Sequence, residues 1–201
     1  MIDRGKRSGI QTRHEIQDAA LTLFSAQGYD ATSLREIAER VGISKAALYY
    51  HFRSKDEIVA SVLRSRGDEA EELLDWVRSQ PPAPDLLERA VLRWVDSFTV
   101  DKLRGIRFVT ANPAVMRSVS ADAGGRIRDG LAGVVEFFAG GDASGPHDPT
   151  RVVLVRMAFL SINAAVAASA GTGASDDDVV AAAREASLAL LTRLGASMGG
   201  Q

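Results

Sequence analysis

Cysteine is absent from this 201-residue chain, which excludes disulfide scaffolds, thiolate metal centres and cysteine nucleophiles together. Histidine is scarce: His14, His51 and His147 are scattered, with no spacing that gathers ligands on one helical turn. No metal, cofactor or catalytic group is expected. No nucleophile–base motif and no pair of catalytic carboxylates stands out either, so the chain does not read as an enzyme. Proline is rare, and Pro81, Pro82 and Pro84 account for half of the six, which leaves long stretches free to be helical. No apolar run comfortably spans a bilayer. The best candidate, Val152 to Ala170, contains Arg156, and the uncharged part from Met157 is too short, so a buried helix is expected there. The basic start, MIDRGKRSGI, has no apolar stretch behind it, so no secretory signal is expected and the location should be cytoplasmic.

What remains is an ordinary globular composition, 46% hydrophobic and 25% charged. The net charge of −2 hides an asymmetry: residues 1–55 hold nine Lys/Arg against six Asp/Glu, while the remainder is acidic. A basic end on an acidic body suits a chain that meets a polyanion at one end.

Helical periodicity recurs throughout. Ile16, Ala19, Ala20, Leu23 and Phe24 share one face of a helix predicted over 12–28, opened by a Thr12-x-x-Glu15 capping box and stopped at Gly28. Ser33-x-x-Glu36 opens a short helix bearing Leu34, Ile37, Ala38 and Val41. Ser54-x-x-Glu57 opens a long one that runs to the prolines at 81–84, with Gly67 as a place where it could bend. Further helices are expected near 85–100, 102–111, 115–139, 149–170 and 176–196, with a glycine-rich loop at 140–147. Asp148 before Pro149, and Ser175 before three aspartates, are start signals for the last two. The run Glu69 to Asp75 reads as a solvated face.

Between the first two capped segments and the long helix lies Val41-Gly42-Ile43, then Ser44 to Phe52. Gly42 permits a sharp turn and Ser44 can cap the next helix, which makes a helix-turn-helix. Leu48, Phe52 and Ile43 should point inward. Lys45, Ala46, Tyr49 and Tyr50 are then displayed outward, where the N-terminal part of a recognition helix meets base edges in the major groove. Lys45 can donate to guanine, the alanines permit close approach, and the tyrosine hydroxyls suit phosphate oxygens.

These residues resemble the N-terminal domain of the TetR family of bacterial transcriptional regulators. The resemblance runs from Thr12 to Ile58 and rests on Ala19-Ala20…Leu23-Phe24…Gly28-Tyr29, Thr32-Ser33…Ile37-Ala38, Val41 to Lys45, and Leu48 to Phe52 with Ser54-Lys55. It implies DNA contacts from Thr32, Ser33, Ser44, Lys45, Ala46, Ala47, Tyr49, Tyr50, His51 and Lys55. Arg4, Lys6 and Arg7 could add a minor-groove arm. Many members have Gly-Thr where this chain has Ala46-Ala47, which shifts base readout here toward Lys45 and DNA shape.

The expectation is an all-α protein with a DNA-binding domain at 1–55 and a helical effector-binding and dimerisation domain at 56–201. The resemblance implies a homodimer through the last two helices, a near-palindromic operator in double-stranded DNA, and a repressor released by a small apolar or amphipathic effector. Trp94, Phe98, Phe108, Met116, Phe137, Phe138, Arg156, Met157, Phe159 and Asn163 are the candidate pocket residues; core filling is the plainer role for most of them. The long helix from Ser54 is the expected lever between the two parts. An activator, or a regulator that answers to a protein partner, would carry the same fold. A carrier or enzyme with a vestigial helix-turn-helix is the third alternative.

Overall fold

The computed structural model describes residues 8–119, 121–139 and 148–198. Within them the secondary structure is helical: α1 (Gly9–Gln27), α2 (Leu34–Val41), α3 (Lys45–His51), α4 (Lys55–Ser79), α5 (Leu86–Asp96), α6 (Val100–Ala111), α7 (Pro113–Ser118), α8 (Ala121–Ala139), α9 (Pro149–Ala168) and α10 (Asp176–Met198). The loop expected at 140–147 lies outside the described residues.

Local sequence places most helix starts. Ser33 and Glu36 form a reciprocal capping box at α2, and Ser54 Oγ accepts from the Glu57 amide at α4. Asp148 caps α9 ahead of Pro149, and Ser175 exchanges hydrogen bonds with Asp178 at α10. One cap differs from expectation. Ser8, not Thr12, caps α1, and Thr12 sits inside the helix with its hydroxyl donating to the Ser8 carbonyl. A serine one turn upstream satisfies the free amides, so the helix extends to meet it. The helix expected over 115–139 is divided into α7 and α8, with Val119 extended and buried at the end of α7. Burying that side chain against the N-terminal core turns the chain where periodicity alone shows no break.

Two cores result. Ile16, Ala20, Phe24, Ile37, Leu48 and Phe52 pack with Ile58, Val59 and Leu63 of α4 and with Phe108 of α6. The second core joins Leu73 and Val77 of α4 to α5, α8, α9 and α10. Helix α4 contributes to both, so the two parts share one continuous element.

Gly67 does not bend α4; it lets α8 approach. A Cβ at Gly67 would lie 2.7 Å from Arg126 Cβ, and one at Gly130 would lie 2.8 Å from Ala70 Cβ and 3.0 Å from its backbone carbon. Backbone cannot yield as a flexible side chain can, so Gly130→Ala should destabilise the fold by about 1–3 kcal/mol. Gly125→Ala, whose Cβ would meet only side-chain ends at 3.6 Å or more, should instead gain helix propensity, up to about 1 kcal/mol. Thermal unfolding of the two variants checks the sign of each.

The apolar helix expected to be buried at 152–170 is buried on one face only. Val155, Ala158, Phe159, Ile162 and Val166 face the core, while Val153, Met157 and Leu160 are exposed. Its length and composition would also suit a membrane span, but its inner face is packed against α10, α8, α5 and α6. Ser161 and Ser187 share a buried 2.6 Å hydrogen bond across α9 and α10, so each satisfies the other's polarity.

Candidate nucleic-acid interface and body cavity

The helix-turn-helix is built as its residues require. Gly42 ends α2 at φ 74°, a left-handed conformation that a side chain would strain, and the Ile43 amide then donates to the Ala38 carbonyl. Ser44 Oγ accepts from the Ala47 amide and starts α3. Leu48 and Phe52 are fully buried and fix the roll of α3 about its axis. Arg13 braces the far end: its guanidinium lies 4.2 Å above the Phe52 ring and donates to the His51 carbonyl at 2.9 Å.

That roll leaves Ser44, Lys45, Ala46, Tyr49 and Tyr50 exposed on one side, with Tyr50 at 87%. Lys45 Nζ stands 5.6 Å from the Tyr49 ring, and the Tyr50 ring meets His51 edge-on. Ala47 and His51 are half-buried at the border of this face. The face carries a cation, two phenol hydroxyls and small side chains between them, the chemistry a groove and its phosphates would accept.

Three of the expected contact residues are committed elsewhere. Thr32 is buried, and its hydroxyl donates to the Gly28 carbonyl and accepts from Gln27. Ser33 spends both its hydroxyl and its amide on Glu36, and those bonds hold the Glu36 carboxyl below its ordinary range. Lys55 folds back over the Tyr29 ring and donates to the Tyr29 carbonyl. Burial and the hydrogen bond to Asp56 push the Tyr29 phenol well above its usual pKa, so it stays neutral. The Ser33–Glu36 capping box is legible in the sequence and Thr32 bonds within its own turn, whereas Lys55 meets the α1–α2 turn only in three dimensions. Arg4, Lys6 and Arg7 lie outside the described residues.

The body contains a cavity of about 990 Å³ between α1, α4, α5, α6, α8 and α9. Trp94, Phe98, Arg156, Phe159 and Asn163 line it. The other five candidates do not. Phe108 is in the N-terminal core, 5.2 Å from the Phe24 ring, and Met116 packs on that same core. Phe138 packs on the body core, while Phe137 and Met157 are exposed. Helical spacing places an aromatic on a face but does not say which neighbour that face meets.

Charged wall residues are the ones the sequence hides. Arg66 lies against Trp94 and Phe98, its guanidinium carbon 4.4 and 4.1 Å from their centroids, and pairs with Glu69. Lys102 reaches the same carboxylate at 2.9 Å. Glu69 thus belongs to the cavity wall rather than to a solvated face. His14, Gln17 and Asp18 of α1 also reach the cavity. Burial, then the neighbouring Asp101, raises the Asp18 carboxyl above its ordinary value.

A family model described as "Bacterial regulatory proteins, tetR family" matches residues 16–62, the segment that holds the helix-turn-helix and its inner core. Residues 16–62 are thus a TetR-family N-terminal domain. Among curated TetR-like relatives, the HTH-type transcriptional regulator AcrR of Shigella flexneri is 34% identical over 105 residues, covering 52% of this chain and 49% of that protein. The biofilm operon icaADBC negative transcriptional regulator IcaR of Staphylococcus aureus is 56% identical over 46 residues, 23% of this chain and 25% of its own length. The chain thus spans about half the length of AcrR, and a quarter of IcaR. A TetR-family structure from Mesorhizobium loti shares the whole fold, with a TM-score of 0.57 over 93% of this chain and 98% of that one, at 20% identity. Sequence identity is thus higher over the 46 residues shared with IcaR than over the 105 shared with AcrR, and likeness of fold extends over nearly the whole chain.

Proposed function

We propose that this chain is a transcriptional repressor that binds a near-palindromic DNA operator as a homodimer and leaves it when a small molecule fills the body cavity. The observation that carries the reading is the exposed face of α3, with Lys45, Ala46, Tyr49 and Tyr50 outward and Leu48 and Phe52 locking the helix beneath. The sequence likeness to proteins named as regulators of transcription supports it.

Two copies would meet through α9 and α10. Val153, Met157 and Leu160 are exposed on α9 at intervals of four and three residues, one side of a helix. A second copy bearing the same stripe would cover it, since a two-fold interface joins a patch to itself. The pair of reading heads then addresses half-sites about 34–36 Å apart.

The cavity has a direct route to the heads. Helix α6 lines it with Lys102, Gly105, Ile106 and Val109, while its Phe108 sits in the N-terminal core and its Arg104 donates to Thr22 on α1. Helix α4 also serves both regions, with Arg66 on the cavity and Ile58 in the head. A ligand that prefers one arrangement of α4 and α6 shifts the spacing of the heads by its difference in affinity for the two states. About 1–3 kcal/mol of coupling would weaken operator binding some 5–150-fold.

Binding to the chain's own upstream DNA should fall steeply with salt, as phosphate contacts require. Lys45→Ala should weaken specific binding by about 1–3 kcal/mol and leave binding to random duplex nearly unchanged. Electrophoretic mobility shifts at several salt concentrations check both. Absence of binding to duplex DNA at low salt would sink the proposal.

A further inference from the structure

The cavity wall distinguishes between classes of ligand. Its aromatic corner, Trp94 and Phe98, is already covered by the Arg66 guanidinium. Its half-buried acid, Glu69, already has two cations, Arg66 and Lys102. Asp101 is paired with Arg104 at 2.8 Å, and Asp129 has Arg128 at 3.7 Å. The remaining acid, Asp18, is driven toward its neutral form by burial and by Asp101. Three of the four wall carboxylates are therefore already shared with a cation, and burial disfavours charge on the fourth.

One donor among the wall cations has no such partner: Arg66 is 12% exposed, and its Nη2 is buried with no hydrogen-bond partner among the described residues. Leaving a donor of a charged group unsatisfied is costly, and an acceptor delivered to it would recover that cost. Arg156 adds a further positive charge on the α9 side of the same cavity. Around them the wall is apolar, with Leu63, Ile106, Ile127, Leu131, Val135 and Phe159.

We infer that the cavity takes an amphipathic monoanion, a carboxylate on an apolar body, whose oxygens are held by Arg66 and Lys102 while the body lies among the aliphatic side chains. This rests on the cavity being the effector site and adds the ligand's charge and the residue that reads it. Seating requires a small shift of the Arg66 fork, since Nη2 is enclosed; the reward is a charge-assisted hydrogen bond for a donor that has none.

The test compares three probes of equal chain length on the intact chain: decanoate, 1-decanol and decyltrimethylammonium. Tryptophan fluorescence reports binding because Trp94 lies in the wall, and calorimetry confirms the order. Decanoate should bind about tenfold or more tighter than the alcohol, with the ammonium weakest. Arg66→Met should erase the advantage of the carboxylate while leaving the alcohol's affinity within a few-fold, and Lys102→Met should reduce it in part. If Arg66→Met does not fold, the order of the three probes on the unaltered protein still decides. Equal binding of acid and alcohol, tightest binding of the ammonium, no binding of any probe, or an advantage that survives Arg66→Met would each overturn the inference. Operator release is measured separately. Arg66-dependent decanoate binding without release would count against the regulatory reading alone, whereas release by the alcohol as readily as by the acid would count against the charge assignment alone.

Discussion

Phe52→Ala should cost about 3–5 kcal/mol and abolish DNA binding at temperatures where the parent protein is active. Phe52 is fully buried, among the largest side chains that are, and lies between α3 and the first turns of α4. Removing its ring opens a cavity where α1, α3 and α4 converge, and the Arg13 guanidinium loses the surface on which it rests. For a chain of this size the loss corresponds to a fall of roughly 6–20 °C in the unfolding midpoint. Tyr50→Ala is the matched control. At 87% exposure its removal should change stability by no more than about 0.5 kcal/mol while still weakening DNA binding. Calorimetry and mobility shifts on both variants separate a residue that holds the reading helix from one that uses it. A Phe52→Ala protein with an unchanged midpoint would mean that α3 is not anchored by its inner face.

If two copies pair through α9 and α10 as proposed, paired substitution of Val153→Glu and Met157→Glu should leave a 21.4 kDa monomer by light scattering. Both side chains are about half exposed in the single chain, so the folded subunit should tolerate the change. In the proposed two-fold dimer the patch faces its own copy, so the glutamates would bring like charges together in an apolar seam. Losing the second reading head removes an intramolecular binding step, and operator affinity should fall by about 10²-fold or more. Affinity for a single half-site should barely move. If the substituted protein stays dimeric, the seam lies on another surface.

The reading head is largely legible in the sequence. Its caps, its turn glycine and its inward residues are local features, and Gly42, Ser44, Leu48 and Phe52 do what their spacing requires. The Ser33–Glu36 box is legible too, but that it occupies the Ser33 hydroxyl is not weighed by residue type alone, and the bond of Lys55 to the α1–α2 turn depends on contact across 26 residues. A polar residue in the right place for DNA can equally satisfy a neighbour, and a single sequence does not say which. In the body, Trp94 and Phe159 reach the cavity while Phe108 and Phe138 enter the two cores, since aromatic residues at helical spacing serve both purposes alike.

Sequence alone determined that this chain is helical, where most of its helices start, and which face of α3 is outward, because capping and amphipathic periodicity act over a few residues. Tertiary structure alone decided that Gly67 and Gly130 join α4 to α8, that Phe108 of α6 enters the N-terminal core, and that Arg66 stands over Trp94 with one donor unused. Those outcomes depend on contacts between helices distant in sequence, where steric fit and desolvation leave no periodic trace in the chain.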